Sequence, residues 1–120
     1  MKPFEVYIAY VSWGDEGKRR PVLILSEQEK EVSVFRITTQ YQSKSASVQS
    51  KYLTINDWHQ AGLDKPSYID ASKIIDLPIK SVDAFPTGKL SAEDKQKLLD
   101  YLSKLSNSAR EKNNPKPYPT

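Results

Sequence analysis

Gly14-Asp15-Glu16-Gly17-Lys18-Arg19-Arg20-Pro21-Val22-Leu23-Ile24-Leu25-Ser26 sets a polar, glycine-bearing loop with a Lys-Arg-Arg run directly against an almost wholly apolar segment. A short apolar run bounded by turn residues reads as a strand buried on both faces. Proline fixes its own φ and biases the residue before it toward extended backbone, so Arg20 is expected to leave the loop in one direction, as permanent charge on a rigid base. A directed guanidinium at such an edge suits bidentate phosphate binding; the same three residues also suit an ordinary solvated turn.

On the N-terminal side, Phe4 to Ser12 alternates, with Phe4, Val6, Ile8 and Tyr10 on one side and Glu5 opposite, while Tyr7 and Val11 leave the second face only partly polar. This is a strand, and with the Pro21 run it forms a hairpin. On the C-terminal side, Glu31 to Thr39 carries Val32, Val34, Phe35 and Ile37 among polar positions, giving a third strand that ends in Ile37-Thr38-Thr39-Gln40 after a turn at 28–30. Tyr41 to Ser50, rich in serine and glutamine and without acidic groups, reads as a solvated, mobile loop. Tyr52-Leu53-Thr54-Ile55 is a further strand, and Asn56 is placed to cap a short helical turn holding Asp57, Trp58 and His59 before a stop at Gly62. Ser67 to Ala71 and Ile74 to Leu77 are short extended pieces, with another over Ile79 to Pro86. Five or six short strands with turns between them make a mainly β chain and a small barrel.

Ser91 with Asp94 three residues on resembles a capping box and opens a C-terminal helix. Leu98, Leu102 and Leu105 fall on one face of it beside Tyr101, and Lys95, Lys97 and Lys104 form its wet side. From Asn107 onward too few apolar groups remain to offset ordering entropy, so residues 1–106 are expected to form one domain and 107–120 a disordered tail.

With 120 residues, 38% hydrophobic and 28% charged, the chain has room for one core and the balance of an ordinary soluble domain. A net charge of +3 is compatible with a nucleic-acid partner but does not demand one. The absence of cysteine excludes disulfides, thiolate zinc sites and cysteine nucleophiles, and the single histidine, His59, excludes any site built on two imidazoles. No signal-like or membrane-length apolar run occurs, which points to a cytoplasmic protein without a membrane partner. No cofactor fingerprint, glycine-rich phosphate loop or metal cluster is present, so no cofactor is expected.

Arginine, hydroxyl and amide groups remain. Arg20 begins the second strand and Thr38, Thr39 and Gln40 end the third; if these strands are antiparallel neighbours, both sets emerge at one rim of the barrel. A phosphodiester needs such convergence: a cation against developing charge, and hydroxyls or amides on the non-bridging oxygens. RNA carries its own nucleophile in the 2′-hydroxyl, so neither metal nor histidine is required. Thr38 and Thr39 are equally well explained as β-formers at a strand end.

The runs Lys18-Arg19-Arg20-Pro21-Val22-Leu23-Ile24-Leu25-Ser26, Ile37-Thr38-Thr39-Gln40, Lys65-Pro66-Ser67-Tyr68-Ile69 leading into Lys73-Ile74, and Thr87-Gly88-Lys89-Leu90-Ser91-Ala92-Glu93-Asp94 resemble, in order and spacing, the successive signatures of the PemK/MazF family. The opening Lys2-Pro3-Phe4-Glu5-Val6 departs from the family's usual Arg-Gly-Asp start to strand one. The resemblance implies a compact SH3-like β-barrel with a C-terminal helix, a homodimer, and the RNA- and DNA-binding toxin of a type II toxin–antitoxin pair. It implies a metal-independent endoribonuclease for single-stranded RNA, inhibited by a cognate antitoxin segment lying along the RNA groove. By position the family's catalytic arginine matches Arg20 and its catalytic threonine Thr38, with Glu16, Lys18, Arg19, Thr39, Gln40, Tyr41 and Lys44 shaping the groove and Tyr41 available to stack on a base. A non-catalytic barrel that binds nucleic acid or protein, or a degenerate toxin, is the alternative; the structurally related gyrase-poisoning toxins lack the arginine and threonine pair.

Overall fold

Alternating and two-sided apolar segments build a single curled antiparallel sheet. The computed structural model of the chain describes the backbone of residues 1–13 and 15–113 and the side chains of residues 1–12 and 15–105. Six strands, β1 (Glu5–Trp13), β2 (Glu16–Glu27), β3 (Glu31–Thr38), β4 (Tyr52–Ile55), β5 (Ser67–Pro78) and β6 (Gly88–Lys89), are accompanied by a short helix α1 (Ala46–Gln49) and a long C-terminal helix α2 (Ala92–Asn113). Their order across the sheet is β4-β5-β3-β2-β1-β6. The expected mainly β architecture with a C-terminal helix is what the chain adopts.

The sheet buries both of its faces, which explains why β1 and β2 lack a clean polar side. Val6, Leu23, Phe35, Ile37, Ile55 and Ile69 pack on the inner face beneath α2, together with Leu98 of the helix. Tyr7, Ala9, Val11, Val22, Ile24, Val32 and Val34 form a second cluster on the opposite face, closed by Leu77 and Val82. Successive residues point to opposite faces of a strand, so these two lists also fix which way every polar residue between them points.

The edge strands β4 and β6 are drawn together by the segment that follows β4. Lys89 N donates to Gln60 O at 3.3 Å and Thr87 Oγ1 to Ala61 O at 3.1 Å. Gly62 has a φ of 78°, and a Cβ there would lie 2.2 Å from Thr87 O, so only glycine lets the two backbones meet. The same segment is tied to α2 through Asp94, which is buried and accepts from Asn56 N at 3.0 Å and Asp57 N at 2.8 Å. Asp94 N in turn donates to the hydroxyl oxygen of Ser91 at 3.1 Å, the helix-capping half of the expected box. The carboxylate therefore caps the turn after β4 from across the molecule, and Asn56 contributes its backbone N–H there in place of the expected side-chain cap.

Several boundaries differ from the sequence reading. Lys18, Arg19 and Arg20 belong to β2, not to a loop: β1 and β2 pair out to Trp13↔Glu16, leaving only positions 14 and 15 between the strands. Ser45 Oγ accepts from Val48 N and starts α1 inside the stretch expected to be an irregular loop. The two extended pieces after residue 67 are one strand with an irregularity, the register on β3 passing from Arg36↔Asp70 to Val34↔Ile75. Residues 79–86 form a 3₁₀ turn, Ile79–Ser81, and a single bridge Ala9↔Val82 instead of a strand. Leu98 is fully buried and Tyr101 and Leu102 pack against the core, but Leu105 is exposed, because the sheet ends before the helix does. The helix continues to Asn113, past the Asn107 at which a tail is expected; positions 114–120 lie outside the described residues.

Candidate functional site

The ladder between β2 and β3 runs to Val22↔Arg36, and the next residue on β2 is Pro21, which has no N–H to donate. Beyond that point the strands continue side by side without pairing, and a recess opens between them. Carrying the register outward sets Arg20 beside Thr38, and both line one cavity of about 160 Å³ with Arg36, Ile37, Gln40, Lys44 and Tyr52. The expectation that Arg20 and the end of the third strand converge is therefore met in space, although Arg20 stands inside β2 (Glu16–Glu27) instead of at its start, and only Thr38 is at a strand end.

Arg20 is half-buried and stands on the face of β2 that carries Val22 and Ile24. Thr38 Oγ1 accepts from Gln40 N at 3.0 Å, which folds the chain back at the end of β3 and leaves the hydroxyl hydrogen available to donate. Lys44 is held nearby by its N–H to Tyr41 O at 3.0 Å. Arg20, Arg36 and Lys44 thus converge on one small recess together with a hydroxyl, an amide and the Tyr52 phenol. Guanidinium, ammonium, hydroxyl and amide groups gathered in one recess are the donor types that a phosphate-like anion takes.

Other proposed groove residues fall in different places. Glu16 and Lys18 share the strand face of Arg20 by the two-residue period but lie nearer the hairpin end, outside the cavity lining. Arg19 faces the other way and donates to Asp83 Oδ2 at 2.5 Å. This pairing raises the Arg19 pKa, the hydrogen bond to Asp83 acting first and its charge second. Thr39 is exposed beyond the strand end and does not line the cavity. Tyr41 stacks on Tyr68 at 4.5 Å between ring centroids and an interplanar angle of 11°, with Tyr52 at 6.4 Å, so one of its faces is already covered by protein.

Three residues that the sequence reading passed over complete the site. Arg36 Nη2 donates to Asp70 Oδ2 at 2.8 Å, and Asp70 Oδ1 accepts from Ser72 N at 3.0 Å and Ser72 Oγ at 2.5 Å. Burial alone would raise the Asp70 carboxyl, but donation from Ser72 and Arg36 outweighs it and holds the pKa below the usual carboxylate value. Burial raises the Tyr52 phenol, the Asp70 charge adds to the rise, and Arg36 opposes it. A signal for Arg36 was present: it occupies the face position two residues after Val34, where the period of the strand calls for another apolar residue. Among the described residues no group of three acidic or histidine side chains could hold a metal ion, and no helix is long and apolar enough to cross a membrane.

The family model of PemK-like, MazF-like toxins of type II toxin–antitoxin systems matches residues 2–106. The chain belongs to this toxin family. The match ends just before Asn107 and takes in every residue of the cavity. Among solved structures, the Mycobacterium tuberculosis toxin MazF-mt6 is 21% identical with a TM-score of 0.65, covering 86% of this chain and 96% of the other. An endoribonuclease in complex with its cognate antitoxin, from a mycobacterial species, is 16% identical with a TM-score of 0.56, covering 85% of this chain and 90% of that one. At these identities the likeness is one of fold, and the fold is that of MazF toxins. No curated relative matches the chain.

Proposed function

We propose that this PemK/MazF-family toxin is an endoribonuclease that cuts single-stranded RNA by attack of a 2′-hydroxyl on the adjacent phosphorus. The observation that carries the reading is the shared cavity of Arg20 and Thr38, ringed by two further cations. In the reaction the 2′-oxygen bonds to phosphorus as its proton passes to solvent, and the bond to the 5′-oxygen breaks as that oxygen takes up a proton. The products are a 2′,3′-cyclic phosphate and a 5′-hydroxyl. Arg20 stabilises the charge that builds on the non-bridging oxygens, and the Thr38 hydroxyl donates to one of them and fixes the phosphate. Because the nucleophile belongs to the substrate and the protein supplies the opposing charge, the step as written uses no metal and no cofactor.

Single-stranded RNA suits the recess because its phosphates and bases can be presented without opening a duplex. The mycobacterial structure with its cognate antitoxin supports an antitoxin as protein partner here too; an antitoxin lying across the cationic recess and a homodimer in the cytoplasm belong to the same proposal, as what membership of the toxin family implies. The test is end-group analysis of RNA incubated with the protein. Fragments should carry 5′-hydroxyls that a kinase can label directly, and a 2′-deoxy substitution at a mapped site should abolish the cut there. Cutting that persists at the deoxy position would refute 2′-hydroxyl attack, and RNA left whole would favour a binding module.

A further inference from the structure

Two cavities meet at one side chain. Arg36 lines the recess of about 160 Å³ that holds Arg20 and also a second cavity of about 480 Å³, which it walls together with Asp70 and Ser72 over an apolar floor that includes Val11 and Ile75. Strand period does not ask for an arginine here, since Val32 and Val34 on the same face are fully buried. The guanidinium is instead anchored from behind, by a carboxylate whose side chain is only 5% exposed while its own remains 45% exposed. A buried carboxylate that loses its cation is strongly penalised, so the pair has one stable geometry, and it leaves the remaining guanidinium hydrogens facing solvent. Asp70 is also engaged on its other oxygen by Ser72, so the carboxylate is held in place while the half-exposed outer side of the Arg36 guanidinium can meet a phosphate.

We propose that Arg36, held in place by Asp70 and Ser72, binds the RNA phosphate next to the scissile one, where the strand passes from the Arg20 recess into the second cavity. This role rests on the RNA reading of the site given above. Arg36 touches substrate; Asp70 is a positioning residue that acts through it. The apolar floor and polar wall of the second cavity then receive the flanking nucleoside, and Arg36 helps to set which phosphate of the strand reaches Arg20.

The probe is a dye-labelled, random-sequence 2′-O-methyl RNA of about 20 nucleotides, which lacks free 2′-hydroxyls and reports binding without cleavage; titrations run over a salt series. Arg36→Gln should weaken binding about 10-fold at low salt and reduce the slope of log K against log salt by about 0.7, the increment for one single-strand phosphate. Arg36→Lys should keep the slope but lose several-fold in affinity, because one ammonium cannot serve the carboxylate and the phosphate with the geometry of a fork. Asp70→Asn should weaken binding with the slope unchanged. On cleavable RNA, Arg36→Gln should raise KM more than it lowers kcat, the reverse of Arg20→Ala. Should Asp70→Asn fail to fold, the two Arg36 variants decide the matter, their thermal melts confirming a folded protein. Wild-type affinity and slope in Arg36→Gln, or no binding of the probe by the wild type, would overturn the proposal. A wild type that binds the probe but leaves RNA uncut, with the slope change intact in Arg36→Gln, would remove the nuclease reading and keep the Arg36 site.

Discussion

Replacing Asp94 by alanine should be among the most damaging single changes outside the two apolar clusters. The carboxylate is 1% exposed and accepts from Asn56 N at 3.0 Å and Asp57 N at 2.8 Å. Deleting it strands two backbone donors in a site where water cannot replace their partner, each hydrogen bond to a charged acceptor being worth about 1.5–3 kcal/mol. The sum is about 3–5 kcal/mol once partial relaxation is allowed, a large share of the 5–15 kcal/mol typical of a folded domain. Asp94→Asn should cost less, about 1–3 kcal/mol, because the amide keeps one acceptor but turns its NH₂ toward the second donor. Urea unfolding followed by tryptophan fluorescence, to which Trp58 just past those donors and packed against the core contributes beside Trp13, measures both. Glu93→Ala, exposed in the same first turn of α2, is the control and should change stability by less than about 0.5 kcal/mol. A loss in Asp94→Ala no larger than in that control would refute the view that this carboxylate ties the helix to the strand-closing segment.

The remaining predictions concern the sheet closure and the site. Gly62→Ala should destabilise by about 2–4 kcal/mol in the same urea assay, since it meets both a positive φ and the Thr87 carbonyl, and a loss below about 1 kcal/mol would contradict the closure described. Arg19→Ala should leave RNA cleavage and the urea midpoint close to wild type, because its partner Asp83 is a surface residue on the other side of the sheet, whereas Arg20→Ala should lower the cleavage rate by about 10²–10³. The depressed pKa of Asp70 means that its stabilising contribution is present above the ordinary carboxylate value, near pH 4, and is lost as the pH falls through the lower folded value. Urea midpoints of wild type and Asp70→Asn should accordingly converge as acid is added, and a gap that stays constant down to about pH 2 would remove the ion pair from the account of stability.

Much of this fold was legible because it rests on local patterns. The alternation in Glu5–Trp13, the apolar run after Pro21 and the Ser91 cap each specify an element without reference to anything distant. What could not be read depended on long-range geometry. Arg19 and Arg20 look like neighbours in a charged turn, yet strand pairing sends one toward Asp83 and the other into the cavity with Thr38. Leu105 satisfies the helical stripe, but whether it is buried depends on where the sheet beneath it stops. The short β6 and the fusion of the two β5 pieces depend on partners far along the chain, which no local propensity encodes. At the site, Arg20, Thr38 and Gln40 were singled out from their types and positions and Lys44 only through the family resemblance, while Asp70 and Ser72 acquire a role only once Arg36 is seen opposite them.

The most direct measurement of the central claim is incubation of the purified protein, in EDTA, with a long mixed-sequence single-stranded RNA, alongside Arg20→Ala and Thr38→Ala. Expected are discrete cuts that survive the chelator, end in 5′-hydroxyls and vanish or fall steeply in both variants. Intact RNA with the wild type, or equal cutting by wild type and Arg20→Ala, would contradict the assignment of the Arg20 and Thr38 cavity as the seat of RNA cleavage.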